Sequence, residues 1–393
     1  MADSSLSKLY SLKEAQWGVT PASAMKSMRF TGEGLGFNIT TSSSNEIRSD
    51  RQITDLIQTG AEATGPVNFE LSYGTYDEYM EGALGGLFAN LDSGDDDDGI
   101  ITAGTTAGNL DFVLDDVGNT VTLGSAVVHN IVSGQWFKLT GSTTDDGYHL
   151  ASDVTGQVLT VASITTGETI ESVATIKGSM LRNGVTQHSW TLEKFFSDIT
   201  QYISFTGMMV GSMEMSMAVN EILTGSFNFM GKDSAIDVTS VGTGAPSDST
   251  TTDVMNAVSN LGSIMEGGAP ITGTFLQNLS INVDAGLRPQ TGIGYLGNVA
   301  IGLGRMNITG ELSAYFEDAS LYNKYLNNTE TSVSFNLTDS DGNTYIITLH
   351  RVKYSTGEVV AGGVDSDVII NMSYQAIRHP VYDCTMQIDK FAA

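Results

Sequence analysis

The sequence predicts a mainly β protein in which one unit occurs twice, each copy with a short flanking helix. Period-two alternation is the first reason. The stretch SMEMSMAV places methionines on one face and polar side chains on the other, namely Ser212, Glu214 and Ser216. Such alternation is typical of a sheet with one buried face. The second reason is that the same order of elements surrounds the tripeptide Glu-Leu-Ser at Glu70–Ser72 and again at Glu311–Ser313.

The first copy is expected over residues 27–90 and 182–230, after an N-terminal segment of residues 1–26. A strand that includes GFNITT leads into a polar arm, SSSNEIRSDRQITDLIQTGAEATG, and then into the strand ending in Glu-Leu-Ser. A helix should begin at Thr75, with Glu78 as the partner in a capping box. Strand, turn, strand and a closing strand then run from HSWTLEKFF to EILTGSFNFM. The apolar stripe of this helix comprises Tyr76, Tyr79, Met80, Ala83 and Leu84.

Residues 91–181 interrupt the first copy and predict a small all-β module, because turn residues separate short strands such as QWFKLTG and QVLTVAS. Insertions are tolerated at exposed loop tips, so we expect this module to project outward from the main body. A Ser/Thr/Gly-rich strap over residues 231–270 leads to the second copy at residues 271–393. There LQNLSINVD, the arm AGLRPQTGIGYLGNVAIG, a helix near Asp318–Leu326 and three further strands repeat the order.

The charge balance excludes several functions. Asp and Glu number 45 against 18 Lys and Arg, which gives a formal net charge of −27. Such a surface repels phosphates and anionic lipid, so the ordinary basic class of DNA-binding protein is excluded. No stretch approaches the roughly 18 apolar residues that span a bilayer, and the N-terminus lacks the apolar run of a secretory signal. We therefore expect no membrane association. The one cysteine, Cys384, allows no intrachain disulfide.

No motif predicts a catalytic residue, a metal site or a cofactor. The run Asp95–Asp98 fails the EF-hand spacing, because Gly94 and Thr105 would occupy the first and last ligand positions. A solvated acidic turn is favoured there, and a looser calcium site stays open. The segment Gly292–Gly297 reads GIGYLG and matches the dinucleotide-binding pattern, but no helix signal follows it. We interpret it as part of a flexible arm.

Three segments resemble the tail tube proteins of long-tailed, non-contractile bacteriophages. They are MKSMRFTGEGLGFNIT, SNEIRSDRQITDLIQTGAEATGPVNFELSYGTYDEYMEGALGG and SFTGMMVGSMEMSMAVNEILTGSFNFMGKDSA. The likeness covers the segments on both sides of the insert and, more loosely, the C-terminal half. It implies a β-sandwich or barrel unit with a flanking helix. It also implies a structural virion protein whose rings stack into a hollow tube through which the genome leaves.

The resemblance also indicates candidate site residues. In the family, the loop after the first strand is where neighbouring rings meet, which implies inter-ring contacts at Arg48, Asp50, Arg51 and Asp55. The polar face that carries Ser212, Glu214 and Ser216 is a candidate for the wall of the lumen. A lumen with few Lys and Arg would let DNA slide, because few cations replace its counterions.

The expected main partner is the chain itself. Rings of the family commonly carry six copies of the unit, so a duplicated chain needs three subunits and gives approximate six-fold symmetry. A ring of six single-unit chains is the alternative. The other expected partners are tape-measure and tail terminator or tip proteins. Viral DNA is expected to pass through the lumen without specific binding. The protein is expected in the virion tail, after assembly in the host cytoplasm.

Two other functions compete with the structural one. The alternative function is an acidic virion surface or fibre protein whose insert binds the host. A glycan hydrolase would need two acids roughly 5–10 Å apart in a cleft, and the sequence singles out no such pair. We therefore expect no enzyme.

Overall fold

The chain is mainly β in a computed structural model that describes residues 3–92, 99–104, 111–171, 174–271 and 275–393. Within these ranges it forms thirty strands, two α-helices and one short 3-10 helix. The mainly β fold predicted from period-two alternation is confirmed. The calcium hypothesis for Asp95–Asp98 concerns residues outside the described ranges.

The elements before the insert belong to the first copy, and this includes β1 from the N-terminal segment of residues 1–26, because β1 pairs with β17 of the first copy. They are β1 (Ser7–Lys13), β2 (Lys26–Met28), β3 (Gly32–Glu33), β4 (Gly36–Ser43), β5 (Leu56–Glu70), α1 (Asp77–Leu84) and β6 (Ala89–Asn90). The insert follows with β7 (Ile100–Thr102), β8 (Phe112–Asp115), β9 (Thr120–Leu123), β10 (Gln135–Thr140), β11 (Gly147–Ala151), β12 (Asp153–Thr155), β13 (Val158–Thr160), β14 (Glu168–Ile170) and β15 (Thr175–Lys177).

The remaining elements complete the first copy and build the second. They are β16 (Ser179–Arg182), β17 (Trp190–Phe196), β18 (Gln201–Ala218), β19 (Thr224–Gly231), β20 (Asp233–Asp237), β21 (Leu261–Glu266), β22 (Ala269–Pro270), β23 (Leu276–Asp284), β24 (Leu287–Gln290) and β25 (Ala300–Leu303). They continue with β26 (Asn307–Tyr315), α2 (Ser320–Leu326), β27 (Thr331–Thr338), β28 (Thr344–Ala361), β29 (Val368–Ala376) and β30 (Gln387–Phe391).

Helix α1 differs from its prediction at the N-terminus. It begins at Asp77, and no side chain caps it, because the Thr75 hydroxyl lies 2.7 Å from the Ser72 hydroxyl instead. Asp77 and Glu78 lie in the first turn, where their negative charges interact favourably with the positive end of the helix dipole. Gly85 ends the helix in the left-handed conformation, with φ of 64°. The predicted apolar stripe is buried in the main core at all five positions, Tyr76, Tyr79, Met80, Ala83 and Leu84.

The strands pair in the same order in the two halves of the chain. In the first copy the strands pair in the order β1–β17–β18–β19–β5–β4, and in the second in the order β21–β27–β28–β29–β26–β23. Strands β18 and β28 each have 18 residues. The N-terminal part of each also pairs with a short later strand, β20 in one copy and β30 in the other. The second copy therefore repeats the topology of the first.

The residue-level match differs from the one predicted from Glu-Leu-Ser. Just before a register shift in β18 and β28, the partner strand places Phe229 opposite Gly65 and Tyr374 opposite Gly310. A Cβ on Gly65 would lie 2.2 Å from the Gly34 carbonyl oxygen, and one on Gly310 would lie 2.1 Å from the oxygen of Ser280. Close backbone approach thus requires glycine at both positions.

These glycines are equivalent and lie 245 positions apart, whereas the two Glu-Leu-Ser tripeptides lie 241 positions apart. The tripeptides are therefore four residues out of register, and their likeness is not a structural equivalence. The repeated order of elements, not the repeated tripeptide, carries the duplication.

The insert is a small two-sheet module with its own core. Its sheets have the orders β11–β10–β15–β7 and β12–β13–β9–β8–β14. Buried side chains between them include Phe112, Val121, Phe137 and Leu159. The boundary predicted at residue 181 falls inside β16, which pairs with β6 and β30 and places Leu181 in the main core.

The strap between the copies also contributes to the main body. It contains β20, β21 and β22, and β21 pairs with β27. Met255 is fully buried in the main core and bonds the backbone of Leu71 and Leu223. The described part of the strap is therefore packed structure as well as a connection.

Candidate assembly surface

The central feature is one continuous sheet that joins the two copies. The C-terminal half of β18 pairs with β19 on one side and with β23, from the second copy, on the other. The register runs from Ser212 opposite Asp284 to Ala218 opposite Asn278. In the described ranges this gives eight strand segments in the order β4–β5–β19–β18–β23–β26–β29–β28, which we call the central sheet. We call the β18–β23 contact the internal junction.

The two faces of the central sheet differ in chemistry. One face is buried in the main core, where Met213, Met215, Phe227, Ile281 and Leu312 are among the packed side chains. The other face carries carboxylates and neutral polar groups. Its carboxylates are Glu62, Glu70, Glu214, Asp284, Glu311 and Glu358.

Cations are scarce across this polar face. The strands of the central sheet, with β28 counted only over the residues 352–361 that pair with β29, contain one Lys or Arg, Lys353. Its ammonium lies 3.4 Å from the carboxylate of Glu330, the residue directly before β27. Arg351 lies just before this segment of β28 and bonds Glu330. Because binding to nucleic acid relies on cations that replace phosphate counterions, this face has little means of holding DNA.

The structure brings the three polar residues predicted from SMEMSMAV onto this face. Glu214 lies opposite Ser226 on one side and Asn282 on the other. The Asn228 amide donates to the Ser212 hydroxyl over 3.1 Å. Glu214 and Ser216 are exposed, so this part of the surface is polar and open.

The residues proposed for inter-ring contact lie on the first arm, residues 44–55, between β4 and β5. Arg48 and Asp50 form a local ion pair, with Nη2 and Oδ2 2.8 Å apart. Its hydrogen bonds hold the pKa of the Asp50 carboxyl below its usual value. Asp55 accepts from the Leu56 backbone, and the Arg51 side chain has no partner among the described residues. Among the described residues, the side chains of Arg48 and Asp50 contact each other, whereas Arg51 is joined to Arg48 through its backbone N–H.

The second arm, residues 287–303, consists of β24, β25 and the loop between them. It includes GIGYLG, which strand β25 follows rather than a helix, so the dinucleotide motif lacks its required context. The loop lies against the first copy. The Ala61 N–H donates to the Leu296 carbonyl over 2.8 Å, and the buried Asn298 amide donates to the Gly231 carbonyl over 2.9 Å. Gln187 also donates to the Ile301 carbonyl.

Both outer strands of the central sheet have an unpaired edge. In the described ranges, β4 pairs with β5 alone, and the C-terminal half of β28 pairs with β29 alone. Apolar side chains are exposed along these edges, among them Ile39, Val359 and Val360. Unpaired edges of this kind are a hazard unless another strand covers them.

Sequence reasoning missed how the insert attaches to the second copy. Trp136 of β10 packs with Ile346 and Phe391, and its indole N–H donates to the Thr348 hydroxyl over 3.1 Å. The Trp136 backbone N–H donates to Asp389, and burial raises the pKa of that carboxyl well above its usual value. The one signal in the sequence was a large aromatic side chain in a short strand of the insert.

Other kinds of site receive no support from the described residues. No group of three or more His, Cys, Asp or Glu side chains in those ranges could hold a metal ion. Neither helix within the described ranges is long and apolar enough to cross a membrane.

A sheet made of two like units and open at both edges is typical of structural proteins that assemble by strand pairing. A family model described as phage tail tube protein matches residues 4–376. The chain therefore belongs to the phage tail tube protein family, and it is a structural component of a virion tail. A search of curated proteins found no match to the chain.

Proposed function

We propose that three copies of this chain close into a ring and that rings stack into a hollow tube, the conduit for DNA ejection. The observation that carries the proposal is the internal junction between two topologically equivalent copies, with unpaired edges at both ends of the same sheet. A contact that relates the first copy to the second can be repeated by the second copy and the next chain. Head-to-tail contacts of this type close into rings when the rotation permits.

The number of chains follows from the duplication. Rings of the family commonly carry six copies of the unit, and each chain supplies two. Three chains then give true three-fold and approximate six-fold symmetry. The insert is present in the first copy only, so each ring carries three inserts.

The polar face of the central sheet is the proposed wall of the lumen, including Ser212, Glu214 and Ser216. Its opposite face is buried in the main core, so a closed barrel of these sheets presents the polar face to the enclosed space. The carboxylates there repel phosphates, and the neutral polar groups carry no charge that attracts them. DNA can then pass without specific binding.

The remaining parts of the proposal concern the tail as a whole. Tape-measure and tail terminator or tip proteins contact the tube inside and at its ends, and assembly takes place in the host cytoplasm. The chain acts as a structural subunit without catalysis. Arg48, Asp50, Arg51 and Asp55 on the exposed first arm contact the next ring.

Negative-stain electron microscopy of the purified protein tests this function. We expect rings or tubes, and rotational averages of end-on views with three outer knobs from the insert. Six equivalent knobs per ring would contradict the duplicated arrangement. Discrete particles without rings, at concentrations where virion proteins assemble, would contradict the structural function itself.

A further inference from the structure

The second copy lacks one pairing that the first copy has. Each strand pair of the first copy described above has its counterpart in the second, from β1–β17 and β21–β27 to β5–β4 and β26–β23. The pair β18–β23 has none within the described chain, because the C-terminal half of β28 has no strand at the corresponding edge. Strand β4, the counterpart of β23, has the matching free edge.

Residue equivalence between the copies can be fixed along both edges. In β18 the register shifts around Gly211, and in β28 it shifts around Ser355, so these residues correspond. Leu35 is the residue that lies opposite Gly65 in the register of β3 and β4, and Ile281 lies opposite Gly310. Leu35 and Ile281 are both buried, as equivalent positions should be.

From this equivalence we infer the register of the contact between neighbouring chains, an inference that rests on the proposed ring. The C-terminal half of β28 pairs antiparallel with β4 of a second copy of the chain. Thr356 lies opposite Asn38, Gly357 opposite Phe37, and Glu358 opposite Gly36. The template is the internal junction, where Ser212 lies opposite Asp284, Met213 opposite Val283, and Glu214 opposite Asn282.

The chemistry of the two edges fits this register. Glu358 is the counterpart of Glu214, and both acids face a residue without charge across the junction, Gly36 in one case and Asn282 in the other. Like charges directly opposite each other would destabilise the pair. Exposed Ile39 and Val359 lose contact with water when the edges pair, which contributes hydrophobic stabilisation.

A backbone hydrogen bond extends the match beyond the paired side chains. In the internal junction the Ala285 N–H donates to the Gly211 carbonyl over 2.9 Å. The corresponding bond between chains joins the Ile39 N–H to the Ser355 carbonyl. The pairing thus continues the ladder of the central sheet across the subunit boundary.

Disulfide cross-linking of assembled protein tests the register. Opposed residues in an antiparallel pair have Cβ atoms about 4.5–5.5 Å apart, close enough for a disulfide after slight adjustment. The variant Asn38→Cys/Thr356→Cys should give covalent dimers and trimers on a non-reducing gel after mild oxidation. Cys384 can stay, because it is buried and burial raises the pKa of its thiol to about 11.

The matched control is Asn38→Cys/Val360→Cys. Val360 lies on the same strand face as Thr356 but four residues along, roughly 13 Å away at about 3.3 Å per residue. We expect no more cross-linked product than from either single cysteine variant. In a ring of three the ladder of the first variant ends at the trimer.

A second pair of cysteine substitutions tests the same register at another position, in case the first pair disturbs the local structure. Gly36→Cys/Glu358→Cys uses a glycine with room for a side chain, since an added Cβ meets its nearest atom at 3.9 Å. Cross-linking of both predicted pairs, without the control, supports the register. If the protein polymerises but the control pair forms disulfides and neither predicted pair does, the register is overturned while the proposed ring is not. Absence of any polymer from the unmodified protein would overturn the proposed ring and the register with it.

Discussion

The two arms of the molecule occupy equivalent places in the two copies, yet they have different surroundings. The second arm lies on the first copy, with Asn298 buried and bonded to Gly231. The hydrogen bonds of the first arm, within the part of the chain that is described, join residues of the arm or the adjoining Leu56. Ile47 on this arm is fully exposed, and Ile53 is 74% exposed.

The difference follows from where each arm finds its partner. Ala61 and Gly231, which bond the second arm, correspond to Met306 and Ala376 in the second copy. No arm of the described chain bonds to those two residues. The second arm forms its hydrogen bonds to the first copy within its own chain, and the first arm is free to contact a different chain. The second arm therefore contributes to folding, and we expect the first arm to contribute to assembly.

Shortening the first arm should have the largest effect. Replacing residues 45–54 by a short Gly/Ser turn should abolish tubes, because the arm exposes the apolar and charged groups available for contact between chains. The thermal unfolding midpoint of the unassembled protein should not change. Electron microscopy and calorimetry measure the two outcomes. The matched control shortens residues 292–298 of the second arm and should lower that midpoint. Normal tubes from the first variant would show that the two arms do not differ in this way.

Charge reversal on the first arm should have the next largest effect. Arg48→Glu/Arg51→Glu places two more negative charges on an exposed loop of a chain with a net charge of −27. We expect rings that fail to stack, with the fold intact. Arg48→Lys/Arg51→Lys keeps the charge and should retain at least part of the stacking. Tube length in micrographs is the measurement, and tubes of normal length from the Glu variant would refute an inter-ring role.

The smallest effect is expected from a single side chain of the second arm. Asn298→Ala leaves the Gly231 carbonyl without its buried partner, which costs about 1–3 kcal/mol of unfolding free energy. Denaturant unfolding measures this loss, and tubes should still form. Ile293→Ala at the exposed tip of the same arm should leave stability unchanged. Equal stability of the Asn298 variant and the unmodified chain would show that the arm is not held by this contact.

Local patterns predicted the elements and their order well. Alternation placed Met213, Met215 and Met217 on a buried face, and all three are buried. The stripe of α1 was also predicted, because a helical period needs only neighbouring residues. The start of the helix was wrong because Thr75 bonds Ser72 across the preceding turn instead of capping the helix.

Contacts between distant parts of the chain could not be predicted. Many strands share the same alternation, so nothing in the sequence selects β23 as the partner of β18. The true equivalence depends on Gly65 and Gly310, whose role appears only where two backbones come close. Docking of Trp136 on the second copy joins residues more than two hundred positions apart. The candidate residues of the first arm were located by resemblance, because exposed charged side chains carry no periodic signal.

The internal junction has a consequence for the kinetics of assembly. In a ring of three duplicated chains, three of the six junctions between copies form when each chain folds, at an effective concentration set by the covalent link. Only the other three junctions depend on encounters between molecules. The rate of ring nucleation then rises with at most the third power of the free chain concentration. For a ring of six separate copies, the rate could rise with up to the sixth power. Dilution would therefore slow the assembly of such a ring far less than the assembly of a ring from six separate copies.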